Sequence, residues 1–175
     1  GFWGEWHTYP HVELFASDQV QQDVINAFDD AFSTTPIQLR YPAQDSSSRN
    51  IGFHDDSFGY STIGDIAWFF QPRLEAAGAD QAWQTSPIGG EIYPALQSII
   101  FTEEYTVDTY QQDLDLCLEQ THASYLLNYA AFNGSGTGYE GSQKDLAQDF
   151  ALNMGYQYAI SELSIKRSHL KEGTV

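Results

Sequence analysis

The chain has 175 residues, of which 42% are apolar and 15% aromatic, so it can fold around a core of its own. The chain has seven basic and 24 acidic residues, which gives a formal net charge of −17. No Lys or Arg occurs between Arg73 and Lys144. This charge would repel a phosphate backbone and an anionic membrane surface, so we expect neither nucleic acid binding nor membrane insertion.

Strand and helix patterns alternate along the chain. The predicted strands cover residues 1–7, 37–41, 50–53, 86–93, 122–128 and 156–165. Helices are predicted between them, after the N-caps Ser17, Thr106 and Ser142 and around residues 66–77. Such alternation indicates an α/β fold in which helices cover a parallel sheet. The single cysteine, Cys117, lies on the apolar side of a predicted helix and is expected in the core.

Polar and aromatic side chains gather at or beside the strand ends, where barrels of alternating strands and helices carry their reactive groups. These residues are Trp3, Glu5, Trp6, His7, Arg40, Tyr41, His54, Asp55, Asp56, Glu91, Tyr93, His122 and Asn128. Aromatic rings serve as platforms for sugars, although ordinary cores use them as well.

Two of these carboxyl groups suit glycoside cleavage, which needs a pair that flanks the scissile bond from different strands. Glu5 and Glu91 lie three predicted strands apart, and each follows a glycine. The rings of Trp3 and Trp6 beside Glu5 would raise its pKa toward that of a useful acid. The alternative is that each glutamate is an ordinary structural or exposed carboxylate.

The run from His54 to Asp56 could hydrogen-bond sugar hydroxyls or hold a metal such as calcium. Neighbouring strand residues point in opposite directions, so a complete metal shell is not expected there. No histidine pair has zinc spacing, and no nucleophile elbow is present. We therefore predict no cofactor.

Four segments occur in one order over nearly the whole chain. They are Gly1–Thr8, His54–Phe58, Pro87–Tyr93 and Thr121–Tyr125. They resemble the bacterial domain-of-unknown-function 4832 family, whose members are typically large secreted proteins. The resemblance implies a secreted or cell-surface protein, and residues 1–165 as the C-terminal half, about strands 4–8, of a (β/α)8 TIM-type barrel. Residues 166–175 would be a linker or the start of a β-sandwich, and the rest of the same chain would supply the N-terminal half-barrel.

By analogy with the large glycosidase clan built on this barrel, the acid/base and the nucleophile follow strands four and seven. Glu5 and Glu91 would take these places, so we predict a retaining glycoside hydrolase acting on a poly- or oligosaccharide. His7 and Tyr93 would orient the two carboxylates. The other predicted substrate contacts are Trp3, Trp6, Arg40, His54, Asp55, Tyr60, His122 and Asn128.

Two other functions fit the same residues. One is a non-catalytic carbohydrate-binding or adhesive module, and the other is a structural subunit of a cell-surface assembly. The clan usually has Asn before its acid glutamate, whereas this chain has Gly4, which keeps both alternatives open.

Overall fold

A computed structural model of the chain describes residues 18–40, 42, 50–132 and 138–155. The helices are α1 (Asp18–Ala31), α2 (Phe70–Ala76), α3 (Leu114–Thr121) and α4 (Gly141–Leu152). The strands are β1 (Ile37–Leu39), β2 (Ile51–Phe58), β3 (Ile88–Ile92) and β4 (Tyr125–Leu127). Two short 3-10 helices cover Ala82–Gln84 and Tyr129–Phe132.

The four strands form one sheet in the order β1-β2-β3-β4, and every pair is parallel. This confirms the predicted α/β class with a parallel sheet. The strands predicted over residues 1–7 and 156–165 lie outside the described residues, as do the Ser17 cap and the predicted linker at 166–175.

One face of the sheet is covered by helices. Ile51, Phe53 and Ile88 pack against Phe70 and Leu74 of α2 in one cluster of buried side chains. A second cluster joins the C-terminal ends of β2 and β3 to α3 and α4. It includes Phe58, Ile92, Cys117, Leu118 and Phe150. Cys117 is fully buried, so its predicted place in the core is confirmed.

The elements around α3 differ from the prediction. The helix begins after Asp113, whose side chain accepts a hydrogen bond from the amide of Leu116 at 3.0 Å, and not after Thr106. Asp108 holds the preceding segment in a turn, since its carboxylate accepts bonds from the amides of Tyr110 and Gln111 at 2.6 and 2.8 Å. A side chain that binds local amides competes with helix formation.

Other boundaries also move. β2 continues to Phe58, five residues beyond its predicted end, and residues 54–57 therefore lie inside the strand. β4 is limited to Tyr125–Leu127, and α4 starts at Gly141, one residue before its predicted cap Ser142. In the part of the chain that the structure describes, no helix has the length and hydropathy needed to cross a bilayer.

Leu74 tests the packing of α2 on the sheet. It is 1% exposed, whereas Leu152 at the end of α4 is 74% exposed. We expect Leu74→Ala to lower the free energy of unfolding by about 2–5 kcal/mol, because it removes buried methyl groups and leaves a cavity. The same change at Leu152 should cost less than about 1 kcal/mol. Urea unfolding measures both, and equal losses would contradict the described packing.

Candidate functional site

The sheet face opposite the helices carries polar side chains. Residues that alternate along the strands and pair across them share a face, and this places Gln38, His54, Glu91 and Tyr125 together. We call these four residues the polar face. Glu91 lies near the C-terminal end of β3, whereas Tyr125 begins β4 and Gln38 and His54 lie within β1 and β2.

A hydrogen-bonded chain crosses the polar face. The hydroxyl of Tyr125 lies 3.0 Å from Nδ1 of His54 and donates to Oε1 of Gln38 at 2.8 Å. The phenol ring reaches these partners by lying over Gly89, where a Cβ would come within 2.3 Å of the ring. The chain therefore joins β4 to β2 and β1, and a side chain at position 89 would block it.

Glu91 has a positioned hydrogen-bond donor. Nε2 of Gln97 lies 3.3 Å from the Glu91 carboxylate and also donates to the carbonyl of Ile92 at 2.8 Å. The amide of Tyr129 donates to Oε1 of Gln97 at 3.1 Å. These two backbone bonds fix which end of the Gln97 side chain faces Glu91.

Charges beside His54 oppose one another. Burial lowers the pKa of His54, Glu91 acts to raise it, and Arg40 acts to lower it further. Arg40 itself forms an ion pair with Asp56. The net lowering of the pKa favours a neutral imidazole on the polar face at neutral pH.

An aromatic chain follows the C-terminal ends of β2 and β3. Its rings are Trp68, Phe69, Tyr110, Tyr60 and Tyr93. Tyr60 stacks on Tyr93 and on Tyr110 with ring centroids 4.1 and 4.8 Å apart. Among the described rings these two partners make no contact with each other, so they cover opposite faces of Tyr60.

The stacking leaves Tyr60, which was predicted to contact substrate, without a free ring face. Tyr60 was expected to offer a face to a sugar, but both of its faces are covered by tyrosines. Trp68 is 50% exposed and Tyr110 is 42% exposed, and Phe69 contacts both rings in T-shaped arrangements. Within the aromatic chain, these two rings are the most exposed and offer surface to a ligand.

Asp55, predicted as a substrate contact, points away from the polar face. It is 4% exposed, and its carboxylate accepts bonds from the Thr62 hydroxyl at 2.7 Å and the Ser57 amide at 3.0 Å. Neighbouring strand residues alternate in direction, so His54 and Asp55 cannot share one site. Asp55 instead anchors the loop after β2, which carries Tyr60.

His122, also predicted as a substrate contact, lies at the opposite end of the strands from Glu91. It ends α3 in the left-handed conformation, with φ of 52°, and its ring stacks on Trp83 at 3.9 Å. Trp83 precedes β3 and His122 precedes β4, so the stack lies at the N-terminal ends of the strands. It borders a pocket of about 390 Å³ that is separate from Glu91.

Asn128 directly follows β4, and the nitrogen of its side-chain amide is engaged within the protein. It donates to the hydroxyl of Tyr139 at 2.7 Å, and Tyr139 donates to the backbone carbonyl of Gln97. Asn128 thus belongs to the structure that supports Gln97.

The remaining predicted contacts divide into two groups. Four of them lie on or beside the polar face or in the aromatic chain, namely Arg40, His54, Glu91 and Tyr93. The other five lie outside the described residues, namely Trp3, Glu5, Trp6, His7 and Tyr41. Within the described ranges, no group of three or more His, Cys, Asp or Glu could hold a metal ion.

The structure adds residues that the sequence did not single out: Gln38, Trp68, Gln97, Tyr110 and Tyr125. The pairing of β1, β2, β3 and β4 brings Gln38 and Tyr125 together across 87 positions in sequence. The WFF run at residues 68–70 was a visible signal for Trp68.

Comparison with protein-family models, with characterised proteins and with solved structures finds no match to this chain.

Asp55 makes a pH-dependent contribution to stability. Burial raises its pKa from 3.8 to about 6, with the bonds from Thr62 and Ser57 acting in the other direction. The folded state then binds this proton more tightly than the unfolded state. As the pH rises from about 4 to about 6, we expect the free energy of unfolding to fall by up to about 3 kcal/mol because of this group. Above about pH 6 the contribution of this group should no longer change.

Urea unfolding across this pH range can isolate the effect. The decline should be absent from Asp55→Asn and present in Asp149→Asn, a change at an exposed position of α4. The lowered pKa of His54 contributes in the opposite direction, and it cancels when the variants are compared with the wild type. Parallel pH profiles for the wild type and Asp55→Asn would contradict the raised pKa.

Proposed function

We propose that this chain is part of a retaining glycoside hydrolase that acts on a poly- or oligosaccharide, with Glu91 as the nucleophile and Glu5 as the acid/base. The main support is Glu91 itself. It lies near the C-terminal end of a parallel strand, on the face away from the helices, with the amide of Gln97 against its carboxylate. Parallel α/β folds carry their reactive groups at these strand ends.

The surroundings of Glu91 suit a nucleophile. The hydrogen bond from Gln97 orients the Glu91 carboxylate, and a neutral imidazole at His54 forms no ion pair with Glu91 that would weaken attack. In the proposed reaction Glu5 protonates the leaving oxygen while Glu91 attacks the anomeric carbon. Glu5 then takes a proton from water, whose oxygen attacks the anomeric carbon and displaces the Glu91 carboxylate.

The aromatic chain supports a saccharide as the ligand. It begins at Tyr93, two residues after Glu91, and ends at the exposed ring of Trp68. Flat apolar ring faces suit the C–H faces of sugar rings, and the polar face offers hydrogen bonds to hydroxyls. Sugar units could extend from Glu91 along this line of rings.

We also propose that the sheet is part of a (β/α)8 barrel, closed by strands from the rest of the same chain. The distribution of side chains supports this, since helices cover one face and the other carries a connected polar layer. Closure would put the polar face inside the barrel. Membership of the bacterial domain-of-unknown-function 4832 family and secretion belong to the same proposal, on the strength of the four sequence segments.

A non-catalytic carbohydrate-binding module is the second candidate. The aromatic chain favours it, because exposed stacked rings bind sugars without any carboxylate pair. Turnover distinguishes the two functions.

Glu91 can be tested by turnover. Product release from α- and β-linked gluco-, xylo-, manno- and galacto-oligosaccharides should fall by roughly 10³-fold or more in Glu91→Gln, because the amide cannot form the glycosyl ester. Glu104→Gln, an exposed change of the same kind, should retain wild-type rates. Full activity in Glu91→Gln would remove the assigned role. Binding without product by the wild type would favour the binding module.

Trp68 can be tested by binding. We expect Trp68→Ala to weaken the affinity for an oligosaccharide about three- to tenfold, because it removes an exposed stacking face. Phe32→Ala is the matched control, since Phe32 is 48% exposed and follows α1. Isothermal titration calorimetry gives both values. An unchanged affinity in Trp68→Ala would show that the aromatic chain does not carry the ligand.

A further inference from the structure

The orientation of the Gln38 amide is fixed by the backbone. Its Nε2 lies 3.2 Å from the carbonyl oxygen of Phe53 and 3.0 Å from that of Pro87. Both carbonyls can only accept, so the nitrogen end of the amide must face them. Oε1 therefore points toward Tyr125 and acts as an acceptor.

This orientation settles the direction of the next bond. The Tyr125 hydroxyl has one proton, and it donates that proton to Oε1 of Gln38 at 2.8 Å. Its oxygen can then only accept from Nδ1 of His54, 3.0 Å away. Nδ1 must carry a proton for this bond to form.

In a neutral imidazole a proton on Nδ1 leaves a lone pair on Nε2. Within the described part of the chain, the hydrogen bond of His54 is the one to Tyr125. Glu91, the neighbouring carboxylate, influences the imidazole through its charge. The polar face thus presents a second acceptor beside Glu91.

We propose that Gln38 and Tyr125 are positioning residues that hold His54 as the Nδ1–H tautomer, so that Nε2 accepts a hydrogen bond from a sugar hydroxyl on the polar face. The tautomer follows from the hydrogen bonds alone. The identity of the donor rests on the proposed function.

The tautomer can be read directly from the ring nitrogens. Long-range proton–nitrogen NMR spectra of the protein with ¹⁵N-labelled histidine distinguish protonated from unprotonated nitrogens, and the peaks lost in His54→Gln identify His54. At neutral pH we expect a protonated Nδ1 and an unprotonated Nε2. A proton on Nε2 in the wild type would overturn the proposal.

Variants test the role of Tyr125 and Gln38. In Tyr125→Phe the acceptor of the Nδ1 proton is removed, so the nitrogen shifts of His54 should move toward those of a mixture of tautomers. Tyr129→Phe, a change at an exposed tyrosine, should leave them unchanged. Gln38→Met should also produce a mixture, because the Tyr125 hydroxyl can then donate to Nδ1. Retention of the Nδ1–H form in both polar-face variants would overturn the positioning role.

The ligand is tested with cellopentaose, xylopentaose and mannopentaose as probes. Binding should shift Nε2 in the direction of a hydrogen-bonded nitrogen and leave Nδ1 protonated. A probe that binds by calorimetry without moving Nε2 would overturn the assignment of the donor. Failure of all three probes to bind would count against the proposed function and its donor, whereas the spectra of the free protein decide the tautomer separately.

Discussion

The lack of a side chain at Gly89 is the constraint on which the polar face depends. A Cβ there would come within 2.3 Å of the Tyr125 ring, so the ring could not lie across β3. Without that path the hydroxyl would not reach His54 and Gln38, which stand on strands that do not pair with β4. One glycine thus lets side chains from three strands form a single hydrogen-bonded chain.

Side chains alternate in direction along a strand, so two adjacent residues of β2 have different roles. His54 faces the polar side, while Asp55 faces the helices and holds the loop that carries Tyr60. Tyr60 in turn supports Tyr93 and Tyr110 through its two ring faces. The buried carboxylate thereby acts on the aromatic chain indirectly, through the position of a loop, whereas His54 takes part in the hydrogen-bonded chain on the other face.

Local pattern was sufficient to predict the α/β class, the parallel sheet and the position of β3, because apolar runs bounded by glycine and proline mark buried strands. It was insufficient where two local preferences compete, as at Thr106 and Asp113, where an intervening turn displaced the helix start. The strand predicted from His122 begins only at Tyr125, because His122 ends the preceding helix in the left-handed conformation. The partners of Tyr125 follow from the register between strands, and the periodicity of β4 alone does not give that register.

Cys117 gives the protein a practical property. It is the single cysteine of the chain, it is fully buried, and burial raises the pKa of its thiol far above the usual range. The thiolate is the reactive form of cysteine, so this residue is protected from alkylating reagents while the protein is folded. A cysteine introduced at an exposed position would therefore take up a fluorophore or spin label selectively. Distances across the sheet could then be followed without first replacing the native thiol.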